Sequence, residues 1–110
     1  MWNKPTENQL SKLPELYSSG HIPIMEKVIH MHFFLGGCDW YAAEYDKNLQ
    51  DFFGFVILNN DYAMAEWGYF NFVELYELKV QYVEVDRDIH FTQAKANCIE
   101  KIKRAESEKI

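Results

Sequence analysis

The stretch HMHFFLGGCDWYAAEYD, residues 30–46, constrains the fold most, because two runs rich in apolar and aromatic residues flank an adjacent pair of glycines. A Gly-Gly pair between such runs is typical of a two-residue β-hairpin turn, which needs positive φ angles. If Gly36 and Gly37 form the turn, residues whose numbers sum to 73 lie opposite each other, as Phe33 does with Trp40. Side-chain alternation then separates the two histidines of this stretch from Trp40.

Four runs rich in aromatic and β-branched residues, joined by turn-like segments, predict a four-stranded antiparallel meander. The runs cover residues 27–35, 38–46, 52–58 and 64–70. A further short strand over residues 79–85 would extend the meander to five strands. Fourteen of the 18 aromatic residues fall between Phe33 and Tyr76, so we expect the meander to hold the core.

Helical signals lie before, between and after these runs. Thr6 with Gln9 forms a capping-box pattern, and Asn71 with Glu74 forms an N-cap pair. From Asp88 onward, apolar residues recur at helical spacing beside Lys and Glu, which predicts an amphipathic helix. We therefore predict one α+β domain over residues 1–110, an antiparallel meander of four to five strands covered by N-terminal, central and C-terminal helices.

Charge is spread unevenly along the chain, and this narrows the classes of partner. Residues 38–88 contain eleven Asp or Glu against three Lys or Arg, within a chain of net charge −6. Like charges repel, so we expect no direct nucleic-acid binding there and a protein partner with a basic contact surface. The many aromatic residues in so short a chain also make a homo-oligomer an open expectation.

Other sequence features bear on the compartment. No apolar run approaches the roughly 20 residues of a membrane span, and the start of the chain lacks the pattern of a signal peptide. We therefore expect a cytoplasmic protein without membrane attachment. The two cysteines, Cys38 and Cys98, have no metal-like spacing, and we expect both to be reduced.

Extending the register from the hairpin predicts a depression on the sheet. Five-residue connections would place Glu44 opposite Gly54 and Gly54 opposite Gly68. Because glycines have no side chain, two of them side by side would leave a depression in the sheet surface. Such a depression could hold an amine or guanidinium, or it could be filled by the chain itself, with each glutamate bonded to a lysine or an amide. The candidate ligand-binding or partner-binding residues are Trp40, Glu44, Gly54, Glu66, Gly68, Phe70, Asp39 and Tyr41.

Two catalytic or metal arrangements compete with a binding role. His30 and His32 point to one face of a strand, with Asp39 diagonal to His32, which is a partial ligand set for a divalent metal. Glu44, Asp46 and Glu66 could supply the acid and base of a metal-dependent hydrolase. Phosphate-binding glycine loops, nucleophile elbows and zinc patterns are all missing from the sequence. We therefore predict no metal and no cofactor, and we favour a non-enzymatic protein while the hydrolase stays an open alternative.

The elements WY…EYD, FFG and EWGYF, with MWNKPT before them and VEVD after them, resemble domain-of-unknown-function family 2958. The resemblance implies a short protein encoded by bacteria, phages, plasmids or integrative elements, with no family-wide catalytic assignment. The family signature would fall on Asp39, Trp40, Tyr41, Glu44, Asp46, Phe53, Gly54, Glu66, Gly68 and Tyr69.

These observations favour a small acidic, non-enzymatic binding protein of a mobile element or phage. Its expected mode of action is to occupy a host or element-encoded protein, for example as a counter-defence inhibitor. One alternative is a small-ligand binder that sequesters a nucleotide signal. The other is the metal-dependent hydrolase built on the three carboxylates.

Overall fold

The computed structural model describes residues 1–109, and the Gly-Gly hairpin lies at its centre. Strands β2 (Met31–Leu35) and β3 (Cys38–Asp46) pair in the predicted register, with Phe33 opposite Trp40. Gly36 has a φ of 56°, the left-handed conformation that this turn requires. The sequence therefore predicted the central hairpin to the residue.

The hairpin belongs to a five-stranded antiparallel sheet with strand order β5-β4-β3-β2-β8. Its other strands are β4 (Asp51–Ile57), β5 (Glu66–Asn71) and the short β8 (Asp86–Arg87). Three helices accompany the sheet, α1 (Glu7–Leu10), α2 (Phe72–Glu77) and α3 (Glu100–Ser107). The α+β class and the antiparallel meander are thus confirmed.

One face of the sheet, here called the α2 face, is covered by α1 and α2. The side chains of Leu10, Phe72 and Leu75 pack there against Phe33 and Phe52. Both predicted helix starts are present, because Thr6 and Gln9 form a reciprocal capping box and the Asn71 side chain accepts from the N–H groups of Val73 and Glu74.

The opposite face, here called the α3 face, is covered by α3 and the segment before it. Ile102 and Ala105 of α3 pack with Tyr41, Phe55 and Ile57 of the sheet. Two short 3-10 helices, Ile24–Glu26 and Ala96–Cys98, flank this second cluster. The sheet is therefore buried on both faces over most of its area, which explains its near-continuous apolar strands.

The C-terminal helix is shorter than the periodicity predicted. Instead of starting near Asp88 it starts at Glu100, and β9 (Ala94–Lys95) pairs with β1 (Val28–Ile29). The Ala96 N–H also donates to the Lys27 carbonyl at 2.9 Å. Pairing with a distant segment outcompetes the local helical pattern here, so the prediction was wrong for its first half.

The predicted strand over residues 79–85 was also wrong, because the chain reverses within it. It forms a two-stranded hairpin of β6 (Lys79–Val80) and β7 (Val83–Glu84), with Gln81 at a φ of 58°. Cys38 and Cys98 do not form a disulfide with each other. Within residues 1–109, none of the helices has the length and apolar composition to cross a membrane.

Candidate functional site

Strand β5 forms one outer edge of the sheet, and no strand among residues 1–109 pairs with its outer side. At the other edge, β8 is bridged by Trp2, so that edge is partly covered. An unpaired edge presents backbone N–H and C=O groups that another chain can hydrogen-bond. The outer edge of β5 is therefore a place where a partner strand can add to the main sheet.

A groove of about 560 Å³ lies beside β5 on the α2 face. It is lined by Val56, Leu58, Asn59, Asp61, Met64, Glu66, Gly68 and Tyr69. Two of its apolar side chains are well exposed, Leu58 and above all Met64, which is 75% exposed. The lining contains two acidic residues, Asp61 and Glu66, and no Lys, Arg or His, so the groove combines apolar surface with acidic side chains.

The two glycines that pair across β4 and β5 have different surroundings. A Cβ atom at Gly68 would meet nothing within 4 Å, so the groove is open at this position. A Cβ atom at Gly54 would overlap the carbonyl oxygen of Tyr41, so that space is taken by the backbone of β3. The depression is therefore open at its outer half and filled at its inner half.

The other side of β5 carries an aromatic cluster. Tyr69 is exposed, and its ring lies 5.3 Å from that of Phe53 and 6.3 Å from that of Tyr17. Phe53 in turn stacks on Trp67 at 5.8 Å. A chain added along β5 would therefore contact apolar side chains on both faces of the sheet.

A buried ion pair holds the loop before β1 against the α3 face. Lys27 Nζ lies 3.4 Å from Glu44 Oε2, and both side chains are buried. Glu44 also accepts hydrogen bonds from the Tyr17 N–H and the Ser19 hydroxyl. Burial raises the pKa of Glu44, but the bonds from Ser19 and Tyr17 and the charge of Lys27 outweigh it, so the net pKa is lowered.

A second, partly buried network joins the sheet to α3. His32 Nε2 lies 2.7 Å from Asp39 Oδ1, His32 Nδ1 lies 3.1 Å from Asp88 Oδ2, and Lys101 Nζ donates to Asp39 Oδ2 at 3.0 Å. Burial raises the pKa of Asp39, but its bonds to His32 and Lys101 hold the pKa below the ordinary value. The Tyr41 ring stacks on His32 at 4.4 Å, and burial raises the pKa of its phenol.

The family model described as "Protein of unknown function (DUF2958)" matches residues 9–108. The chain belongs to this family. The comparisons with curated proteins and with solved structures find no match. In this DUF2958 member, the three motifs that carried the resemblance fall on the adjacent strands β3, β4 and β5, so they describe the centre and the free edge of the sheet.

The predicted register of this DUF2958 sheet is correct between β4 and β5 and wrong between β3 and β4. Gly54 pairs with Gly68 as predicted, and Phe52 with Phe70, and Val56 with Glu66. Glu44 pairs with Phe53 rather than with Gly54, because the register shifts between Ala42 and Glu44. A β-bulge at Ala43 therefore turns Glu44 to the α3 face, away from the depression.

The candidate residues consequently do not form one site. Glu66, Gly68 and Phe70 lie along β5, with Gly54 behind them and Phe70 stacked on Phe52 at 5.1 Å. Trp40 is on the same face but only 6% exposed, inside the core. Asp39, Tyr41 and Glu44 are buried on the α3 face in the two networks above.

The residues proposed for metal or hydrolytic chemistry are also separated. Glu44 is in the interior, Glu66 is on the groove, and Asp46 accepts hydrogen bonds from the N–H groups of Asn48 and Leu49 in the β3–β4 turn. His32 is bonded between two aspartates, while His30 lines another pocket. Across residues 1–109, no three His, Cys, Asp or Glu side chains are grouped so as to hold a metal ion.

Sequence reasoning missed several residues that define these sites. The exposed side chains of Leu58, Met64 and Tyr69 were not singled out as surface, because alternation alone does not tell an edge strand from a central one. Lys27 and Lys101, the cations of the two networks, lie 17 and 62 residues from their acidic partners. A long-range pairing of this kind leaves no local signal in one sequence.

Proposed function

We propose that the chain is a non-enzymatic binding protein that captures an extended, basic segment of a partner protein along the free edge of β5. The observation that carries this proposal is the unpaired outer edge of β5 beside a groove that is open at Gly68. Strand addition satisfies the backbone groups of such an edge, while the flanking pockets select the side chains of the segment.

Charge supports a basic segment. Asp61 and Glu66 line the groove without a compensating Lys or Arg, and neither side chain forms an ion pair with any residue in the described part of the chain. A Lys or Arg of the bound segment would place its charge beside Glu66 and its aliphatic stem on apolar surface. An acidic or phosphorylated segment would be repelled.

The apolar lining supports affinity as well as orientation. Leu58 and Met64 are exposed on the α2 face, and Tyr69 is exposed on the α3 face. Successive side chains of a bound strand point to opposite faces of the sheet, so they would cover these apolar residues on both faces. Methionine adapts its shape to varied partners and is common on binding surfaces. This arrangement fits recognition of a peptide segment better than enclosure of a small molecule.

We further propose, from the resemblance to proteins of phages, plasmids and integrative elements, that the partner is a host protein and that its occupation inhibits a host defence. Co-expression of the wild-type chain with a host defence system should lower the protection that this system gives the host. Co-expression of the Glu66→Lys variant should leave that protection intact. Unchanged protection with both the wild-type chain and the variant would argue against this biological role. The binding proposal has a separate test.

The binding proposal is tested by quantitative capture from a lysate of the host that carries the gene. The wild-type chain is expected to retain a partner in stoichiometric amount. Glu66→Lys should reduce its recovery at least about tenfold, because the reversal places two like charges together. The binding segment of the partner should contain Lys or Arg and should be mapped by peptide arrays.

Glu77→Lys is the matched control, because Glu77 is the exposed last residue of α2 and the substitution changes the net charge identically. All variants should melt at similar temperatures, since both glutamates are on the surface. Equal losses in the two variants would indicate general electrostatics instead of the β5 groove. Absence of any stoichiometric partner would contradict the proposal.

A further inference from the structure

A small pocket at the opposite edge of the sheet, beside β8, has a chemistry unlike the rest of the molecule. Its volume is about 160 Å³, and its polar lining consists of Gln9, Lys12, His30, Arg87 and Gln93. No acidic residue lines it, although the chain has a net charge of −6. The lining instead contains one lysine, one histidine and one arginine.

The basic groups of this pocket lack acidic partners. Arg87 Nε donates to the Asn3 carbonyl at 2.8 Å, and neither Arg87 nor Lys12 forms an ion pair within residues 1–109. His30 Nδ1 is buried and has no hydrogen-bond partner in the same part of the chain. That atom has almost no accessible surface, so it does not face the pocket, and burial lowers the pKa of the His30 imidazole. The cationic contacts of the pocket are therefore those of Arg87 and Lys12.

The neighbouring acidic side chains are already engaged. Asp86, next to Arg87 in the chain, accepts from the Asn3 amide at 2.9 Å. Asp88 contacts His32 and accepts from the His90 N–H. The side-chain oxygen of Gln9, Oε1, accepts from the Thr6 N–H in the capping box, which leaves the side-chain NH₂ group of Gln9 as the available donor. The pocket therefore presents mainly donors.

We propose that this pocket binds a small oxyanion, a single phosphate or carboxylate group, through Arg87 and Lys12, with His30 in the wall of the pocket. Arginine recognises both groups by paired hydrogen bonds, and lysine adds a point charge. The volume is well below the roughly 300–1,000 Å³ of pockets that enclose a drug-sized ligand, so it suits one such group. The site lies across the sheet from the β5 groove and is independent of the function proposed above.

The test is a titration of the full chain with inorganic phosphate, and separately with acetate, at constant ionic strength, followed by NMR. We expect saturable shifts of the His30 imidazole and the Arg87 side chain with at least one of the two anions. Arg87→Gln should weaken binding about tenfold, as expected for loss of a charge-assisted bidentate contact. The anion that saturates identifies the group.

Lys12→Gln is a second variant for the case that Arg87→Gln disturbs β8. The Lys12 side chain lines the pocket and is exposed, so its replacement should not affect folding. It should weaken binding several-fold, whereas Lys103→Gln, an equal charge change on the exposed face of α3, should leave it unchanged. Shifts that grow linearly with both anions, or equal effects of Lys12→Gln and Lys103→Gln, would overturn the proposal.

Discussion

Gly54 lies directly against the backbone of Tyr41, so that a Cβ atom at position 54 would overlap the Tyr41 carbonyl oxygen. The close approach accompanies the bulge at Ala43, where β3 and β4 shift register. Glycine is the one residue that permits such contact between neighbouring backbones. The same bulge turns Glu44 into the interior, so one local irregularity determines both the filled half of the depression and the buried ion pair.

We expect Gly54→Ala to lower the free energy of unfolding by about 3 kcal/mol or more, because the added methyl group forces the backbone of β3 away from β4. Gly68→Ala should change it by less than about 0.5 kcal/mol, since the added atom meets open space. Urea denaturation of both variants measures the difference. Similar losses in the two variants would contradict the described register.

The buried pair of Lys27 and Glu44 gives a second prediction. Glu44→Gln should destabilise the fold by about 3–5 kcal/mol, because it leaves the buried Lys27 ammonium without its counter-charge. The double variant Lys27→Met with Glu44→Gln should be more stable than Glu44→Gln alone, since the uncompensated charge is removed with it. Thermal unfolding of the three proteins checks the order, and a double variant that is less stable than Glu44→Gln would refute it.

Acid should destabilise the protein through Asp39 and Glu44. Both carboxyls have a pKa below the ordinary value in the folded state, so they contribute stability above their unfolded pKa values of about 3.9 and 4.3. This contribution is lost as the pH falls through the folded pKa values. We therefore expect the melting temperature to fall steeply below about pH 4.

Asp39→Asn separates this effect from general acid denaturation. The variant should be less stable than the wild type at pH 7, because His32 and Lys101 lose a charged acceptor. Its melting temperature should fall less steeply below pH 4, since one of the two titrating groups is gone. If the melting temperatures of the two proteins fell in parallel below pH 4, Asp39 would not contribute to the loss of stability in acid.

Much of the central fold was predictable from local signals. The Gly-Gly turn sets the register of β2 with β3, and the pairing of Gly54 with Gly68 follows from the β4–β5 connection. The caps at Thr6 and Asn71 mark the starts of α1 and α2, because their side-chain acceptors meet the first free N–H groups of each helix. Turns and helix caps of this kind can be recognised from a few consecutive residues.

The features that escaped prediction depend on distant contacts. Ala43 resembles any other small strand residue, so its bulge is not visible in the sequence, although it reverses the side to which Glu44 points. Ala94 and Lys95 fit a helical pattern, yet pairing with β1 fixes them as a strand. The strand register was therefore predicted correctly between β4 and β5 and wrongly at Glu44.

The binding of a partner segment along β5 is tested most directly by site-specific photocrosslinking in the host. A photoreactive residue replaces Met64, which is 75% exposed beside the groove, and in a second protein it replaces Tyr82, which is 94% exposed near the tip of the β6–β7 hairpin. We predict a discrete adduct from position 64, with a crosslinked peptide rich in Lys or Arg, and none of that species from position 82. An adduct from position 82 alone, or no adduct from position 64, would contradict the account.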